Sequence, residues 1–147
     1  RELCDQGLEF DEICERAAAY RDRMNTYFVL ESLDTLKKNG RLTGLQAFFA
    51  TKLNIKPVMG ADNGTIIKLD QARGIQKALQ RMAEIAVKEA GTTKDKRLVI
   101  AHCNAPERAQ FMKEKLCSMA EFKEVVITDT CGVSTGYAND GGVILAL

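Results

Sequence analysis

The segment Leu36–Met59 reads LKKNGRLTGLQAFFATKLNIKPVM, and it joins a helix end, a basic turn, an apolar helix and a strand. Asn39 and Gly40 predict the end of the first helix, because both residue types adopt a left-handed backbone at low cost. Arg41 then lies on a tight turn rather than on a helix face. The apolar run that follows predicts a second short helix over 44–53. A guanidinium beside an apolar helix favours a ligand with a charged head and an apolar body.

Each part of this segment has a second interpretation. Arg41 suits a carboxylate or phosphate because its donors form a planar fork, but a solvated arginine after a helix would also complement the helix C-terminus. The 44–53 helix is typical of core packing as well as of a ligand pocket. Phe48 and Phe49 point in different directions around that helix, so one ring leaves the main core face and lines a pocket or meets another domain.

Hydrophobic periodicity outside this segment predicts a mixed α/β fold. The Asn63-Gly64 pair predicts a hairpin turn, because both residues tolerate positive φ. The fold class expected is a two-layer sandwich, in which helices cover one face of a mixed β-sheet. The predicted helices are 11–24, 33–38, 44–53, 71–90 and one that begins at Pro106, and the predicted strands are 26–30, 55–59, 65–69, 97–101, 125–127 and 143–146.

Composition places residues 1–147 in a single domain of ordinary make-up. The chain has 147 residues, 46% of them hydrophobic, and a formal net charge of +1. This charge gives no reason to expect nucleic acid as a partner. We find no signal peptide and no apolar run of membrane-spanning length. We therefore expect a cytoplasmic location and no stable membrane insertion. The five cysteines lack metal-site spacing, which favours reduced, buried or half-buried thiols over a metal centre.

Two further places carry reactive or polar side chains. His102 and Cys103 are neighbours at a strand end and point to opposite faces, and no acid is placed to orient the imidazole, so a structural hydrogen bond is the better interpretation of His102. Residues 129–142 read as a long glycine-rich connection between two strands. Such a loop can offer N–H groups and the hydroxyls of Thr130 and Ser134 to an anion, or it can be a plain connection.

The first residues, RELCDQGLEFDEI, resemble the last turn of a helix followed by a Gly7 stop and a new helix. A helix tail without its body predicts that the chain is a fragment, cut from a longer protein at a domain boundary.

The run Leu33–Met59 resembles the signature of the bacterial DegV family, in which a G-G-R-I element is followed by L-N-I-K-P. Further matches are the turn at Asp62-Asn63-Gly64, the stretch Lys68–Leu79, and Ile100-Ala101-His102 before a helix. The resemblance extends over essentially all 147 residues. It implies the C-terminal domain of a two-domain DegV fold, with the N-terminal domain absent.

Members of this family are similar to non-enzymatic, cytoplasmic proteins that hold one long-chain fatty acid and present it to a fatty acid kinase for phospholipid synthesis. The resemblance therefore implies a fatty acid ligand, no cofactor and no metal. The partners it implies are the kinase and the chain's own N-terminal domain. The implied ligand-binding residues are Arg41, Phe48, Phe49, Ile55, Thr130 and Ser134.

This sequence departs from the family pattern at two places. The first glycine before G-R is Asn39, which also accepts a left-handed turn. The tail lacks the family's His before a G-P-G turn and has Thr130-Cys131-Gly132-Val133-Ser134 instead. Either a hydroxyl of Thr130 or Ser134 replaces that His, or the head-group site has changed.

Two other functions stay open at this point. One is an enzyme of the phosphoryl-transfer or hydrolase type that uses Arg41 and the glycine-rich tail, although no base, nucleophile or metal cluster is evident. The other is a structural interaction module whose apolar surface pairs with its missing half or with itself.

Overall fold

A computed structural model describes residues 1–42, 54–62 and 64–147 of the chain. Helices and strands alternate irregularly along it, in the order ααβαββαβαβαβ. The helices are α1 (Glu2–Asp5), α2 (Phe10–Arg23), α3 (Asp34–Lys38), α4 (Ile75–Ala90), α5 (Pro106–Met119) and α6 (Gly132–Ala138), and the strands are β1 (Thr26–Val29), β2 (Ile55–Asp62), β3 (Thr65–Arg73), β4 (Arg97–His102), β5 (Glu124–Asp129) and β6 (Val143–Ala146).

The six strands form one mixed sheet in the order β3-β2-β1-β6-β4-β5. Only the β4–β5 pair is parallel, and the remaining pairs of this sheet are antiparallel. Helix α5 connects the parallel pair, as a crossover between parallel strands requires. The α/β sandwich with a mixed sheet that the sequence predicts is confirmed.

One face of the sheet is covered by the two long helices α4 and α5. Because strand side chains alternate between faces, every second residue of the central strands is buried against these helices. The resulting cluster, which we call the main core, includes Tyr27, Val29, Val58, Leu79, Met82, Leu98, Ile100, Met112, Leu116, Val143 and Leu145.

The opposite face carries a smaller cluster beneath the short helices α3 and α6. Its buried members are Leu30, Leu36, Leu42, Met59, Cys103 and Ala138, with Phe28, Ile66, Tyr137 and Ile144 packed against them while half-buried. Among the residues that the structure describes, this face is covered in part only, and a cavity forms there.

The β2–β3 hairpin agrees with its sequence signal, although Asn63 itself lies outside the described residues. Asp62 pairs with Thr65, and Gly64 has a φ of 79°. The predicted helix over 71–90 begins later than expected, at Ile75. Residues 71–73 pair with β2 and extend β3, and Gly74, with a φ of 82°, separates the strand from the helix.

The glycine-rich tail differs most from its prediction. Seven of its residues form α6, between Gly132 and Ala138, so the expectation of a long irregular connection is wrong. The thiol prediction is also wrong in part: Cys103 is buried, but Cys4, Cys14, Cys117 and Cys131 are exposed. Within the described ranges, none of the helices is both long and apolar enough to cross a bilayer.

Candidate ligand-binding site

A cavity of about 530 Å³ lies on the partly covered face of the sheet, between α3 and α6. Its volume is within the range of small-molecule sites in proteins. Apolar side chains from the sheet form its floor, and the ends of the two short helices form its walls. Its described lining residues are Thr26, Phe28, Leu30, Leu36, Gly40, Arg41, Gly64, Thr65, Ile66, Val133, Ser134, Tyr137, Ala138 and Ile144.

The floor follows from strand register. Phe28 of β1 stands opposite Ile144 of β6, so their side chains lie side by side on the same face. Thr26 and Leu30 share that face because they lie two residues before and after Phe28. Ile66 of β3 extends the floor towards the hairpin. Burial of a methylene chain against such a surface contributes about 0.8 kcal/mol per CH₂ group.

Arg41 stands at the wall formed by α3, on the turn that ends this helix. The Gly40 amide donates to the Lys37 carbonyl over 3.1 Å, and the Arg41 amide donates to the Leu36 carbonyl over 2.8 Å. This pair of hydrogen bonds, with a φ of 66° at Gly40, is a Schellman motif. The helix stop at Gly40 and the fixed turn at Arg41 are therefore as the sequence predicts.

The lining is apolar or neutral apart from one residue. Arg41 is the only charged side chain among the described lining residues, and within the described ranges it forms no salt bridge. A lone guanidinium at the edge of an apolar cavity favours an anionic group on an otherwise apolar ligand.

Helix α6 brings Ser134 to the same cavity as Arg41. Thr130 precedes this helix and is not among the lining residues. Its hydroxyl oxygen accepts a 3.0 Å hydrogen bond from the Thr135 hydroxyl, and its amide donates to the His102 carbonyl over 2.8 Å. Of the two hydroxyls considered for a carboxylate ligand, the structure thus brings Ser134 to the cavity and leaves Thr130 outside it.

The other predicted ligand residues are not among the described lining residues of this cavity. Phe48 and Phe49 lie outside the described residues. Ile55 begins β2, whereas the lining residues of the hairpin are at its other end, so on the order of 20 Å of strand separates them. Ile55 therefore lies away from this cavity, and a role for it in ligand binding stays a prediction.

Helix α6 also contributes residues that sequence reasoning missed. Val133, Tyr137 and Ala138 line the cavity, and the Val133 side chain is 75% exposed. Val133 and Tyr137 are four residues apart, as are Ser134 and Ala138, so each pair lies on successive turns on one side of the helix. This signal was present in the tail, but four glycines among residues 132–142 hid it.

His102 has an acidic neighbour, contrary to expectation. It pairs in register with Asp129 of the parallel strand β5, and its Nδ1 lies 3.3 Å from the Asp129 Oδ1 atom. The same Nδ1 atom accepts a 3.3 Å hydrogen bond from the amide of Ala105, just before α5. His102 is buried, so this bond at the helix start agrees with the structural role that the sequence indicates.

A charged network supports the loop that follows α6. The Glu31 carboxylate lies 2.6 Å from the Lys56 ammonium and 2.9 Å from Arg108, which also donates to the Gly141 carbonyl over 2.6 Å. The hydrogen bond and the charge of Lys56, and then those of Arg108, hold the pKa of the Glu31 carboxyl below its ordinary value of 4.5.

No group of three His, Cys, Asp or Glu side chains suited to a metal ion occurs within the described part of the chain.

Comparison with known proteins gives concordant matches along the chain. The family model described as "Uncharacterised protein, DegV family COG1307" matches residues 1–144. A DegV domain-containing protein of Streptococcus pneumoniae strain ATCC BAA-255/R6 is 34% identical over 145 residues, which are 98% of this chain and 51% of that protein.

Two solved structures are similar at the level of both sequence and fold. The protein of DegV family COG1307 from Ruminococcus gnavus ATCC 29149, solved with vaccenic acid, is 46% identical with a TM-score of 0.95, over 99% of this chain and 52% of that one. The Streptococcus pneumoniae Fatty Acid Kinase (Fak) B3 protein, loaded with linoleic acid, is 34% identical with a TM-score of 0.85. The match covers 99% of this chain and 51% of that one. The chain spans about half the length of the relatives it matches.

Proposed function

The chain belongs to the DegV family, and from this premise we propose that it binds a long-chain fatty acid without catalysing a reaction. The acyl tail would lie on the floor formed by Phe28, Leu30, Ile66 and Ile144. The carboxylate would lie at the edge where Arg41 and Ser134 stand. The single observation that supports this assignment most is an apolar cavity with Arg41 as its only charged described lining residue.

The energetics of such a ligand divide between its two ends. The tail provides most of the binding free energy, at about 0.8 kcal/mol per buried methylene. The carboxylate contacts then fix orientation, because a hydrogen bond to a charged group contributes about 1.5–3 kcal/mol and less when solvent reaches it. The Ser134 hydroxyl can donate a hydrogen bond to the carboxylate. In this role it would replace the family histidine, which this tail lacks.

The solved relatives that carry vaccenic and linoleic acid support the ligand class. We extend the proposal to partners: a fatty acid kinase that receives the bound acid, and an N-terminal domain that supplies the other wall of the carboxylate site. The proposal of an N-terminal domain is supported by the length of the relatives, which are about twice as long as this chain. On this proposal the chain by itself binds fatty acid more weakly than the two-domain protein.

The first test is whether lipid is bound at all. The chain, and the longer two-domain protein that we propose contains it, would be purified from bacteria, and their lipid extracts would be examined by mass spectrometry. We expect a fatty acid in the extract of the longer protein and saturable binding of added oleate by both. No co-purified fatty acid, together with no binding of oleate by either protein, would remove the proposal.

The second test is Arg41→Ala, with Lys38→Ala as the matched control. Lys38 is a cation at the end of the same helix and does not line the cavity. We expect Arg41→Ala to weaken fatty acid binding about ten-fold, which corresponds to about 1.4 kcal/mol, and Lys38→Ala to change it less than two-fold. Equal effects in isothermal titration would show that the two cations act only through general charge.

A further inference from the structure

The two walls of the cavity meet at one side-chain hydrogen bond. The Thr35 hydroxyl, on the first turn of α3, donates to the Asn139 side-chain oxygen over 3.1 Å. Asn139 is the residue that ends α6. The bond joins residues 104 positions apart in the chain, and both partners are partly buried. It therefore ties together two helices that also share one apolar cluster, to which Leu36 and Ala138 belong.

Asn139 is oriented by its own backbone and side chain. Its φ is 54°, its amide donates to the Thr135 carbonyl over 3.1 Å, and its side-chain nitrogen donates to the Tyr137 carbonyl over 3.3 Å. With the nitrogen used inside α6, the side-chain oxygen is directed to Thr35. The carbonyl of Asn139 accepts from the Gly142 amide over 3.1 Å, which fixes the loop beyond the helix.

Thr35 is also connected by hydrogen bonds to the end of α3, where the turn carries Arg41. Its carbonyl accepts from the Asn39 amide over 3.1 Å and from the Asn39 side-chain nitrogen over 2.9 Å. The next residues form the Schellman turn that ends at Arg41. A path of hydrogen bonds thus runs from the Asn139 side chain, through Thr35, to the turn that carries Arg41.

We propose that Thr35 and Asn139 are positioning residues, whose hydrogen bond sets the separation of α3 and α6 and so the place of Arg41 relative to a ligand carboxylate. This inference rests on the proposed function. The floor of the cavity comes from the sheet and does not depend on the bond. Loss of the bond therefore weakens recognition of the carboxylate and leaves recognition of the acyl tail unchanged.

The test compares two ligands that differ only in their head group, decanoate and decanol, chosen because both are more soluble than long-chain lipids. Dissociation constants would be measured by ¹H–¹⁵N NMR titration of the whole chain. In the wild type we expect decanoate to bind more tightly than decanol. In Thr35→Val we expect the affinity for decanoate to fall about three- to ten-fold, the range that loss of one such hydrogen bond predicts, and the affinity for decanol to stay within two-fold.

Three further variants make the result specific. Thr35→Ser keeps the hydroxyl and should restore the wild-type preference for decanoate. Thr128→Val makes the same change on β5, away from the cavity, and should alter neither affinity. Asn139→Gly removes the acceptor while tolerating the positive φ, so it should reproduce the effect of Thr35→Val even where that variant folds poorly.

Asn139→Gly and Thr35→Val should not add when combined, because each removes the same bond. Equal loss of both ligands in Thr35→Val would show a merely structural role and overturn the inference, as would a decanoate preference that neither variant changes. If the wild type binds neither ligand, the proposed function itself fails, and that outcome is distinct from an unchanged preference.

Discussion

Two adjacent residues of strand β6 lie in very different environments on the two faces of the sheet. Leu145 is fully buried in the main core beneath α4 and α5, whereas Ile144 is half-buried and lines the cavity on the other face. Both side chains are large and aliphatic, so composition does not distinguish them. The difference lies in which described elements cover each face: the two long helices α4 and α5 on one side, and the short helices α3 and α6 with a cavity between them on the other.

This contrast separates stability from function within one sheet. Close packing of the main core holds the strands in register, and that register places Thr26, Phe28 and Ile144 in a row on the opposite face. Among the described residues, the main core provides most of the burial, and the cavity lies on the opposite face. Three pairs of substitutions break or sharpen the contrast, and they follow in order of expected effect.

The largest effect is expected from Leu145→Ala, with Ile144→Ala as its neighbour on the other face. Removal of a fully buried Leu side chain costs about 2–5 kcal/mol, because a cavity remains in a packed core. Ile144→Ala should cost about half of that or less, since its side chain is already half-exposed, but it should weaken fatty acid binding. Urea denaturation gives the stabilities, and an Ile144→Ala cost as large as that of Leu145→Ala would contradict the comparison.

The second effect concerns two glycines, Gly136 within α6 and Gly142 in the loop that follows it. A Cβ atom at Gly142 would lie 2.5 Å from the Ala138 carbonyl oxygen, so Gly142→Ala should destabilise the chain by about 1–3 kcal/mol. A Cβ at Gly136, inside the same helix, meets nothing within 4 Å, and Gly136→Ala should stabilise by about 0.5–1 kcal/mol. Thermal unfolding would measure both, and shifts of the same sign would show that the α6 wall is not packed as described.

The smallest effect is expected from Glu31→Gln, in the network behind α6. The pKa of Glu31 is lowered in the folded chain, so its contribution is fully present above the ordinary value of 4.5 and is lost as pH falls through the lowered pKa. Because its side chain is 42% exposed, we expect a loss of only about 0.5–1 kcal/mol at pH 7.

The same variant should lose its difference from the wild type in acid, at a pH below the lowered pKa of Glu31, where the carboxyl is protonated. Urea denaturation at the two pH values measures this, with Glu15→Gln on the exposed helix α2 as the control. A difference that persists unchanged at low pH would assign the effect to packing rather than to the charge of Glu31.

Local signals in the sequence were sufficient for much of the fold and for one side of the site. The Asn39-Gly40 stop and the position of Arg41 follow from backbone preferences alone, and the hairpin follows from its turn residues. The alternation in β1 and β6 identifies the strands. It does not say which face is the open one, because Leu145 and Ile144 are equally apolar.

The features that could not be predicted depend on contacts between distant parts of the chain. Gln71 to Arg73 have residue types that suit a helix, and only their pairing with β2 makes them strand. Asp129 reaches His102 because β4 and β5 are parallel and in register, which no local pattern specifies. The α6 helix has four glycines in or near it and is stabilised by Thr35, Arg108 and the sheet beneath it rather than by propensity.

The central claim is that an acyl chain lies on the open face of the sheet and not in the main core. Paramagnetic broadening by a stearate that carries a nitroxide near its methyl end tests this directly, because the effect is local and is detected even when binding is weak. This claim predicts that NMR signals of Phe28, Ile66 and Ile144 broaden at a lower probe concentration than those of Leu79 and Met112, which lie across the sheet. Broadening of the α4 and α5 residues, with sharp signals from Phe28 and Ile144, would contradict it.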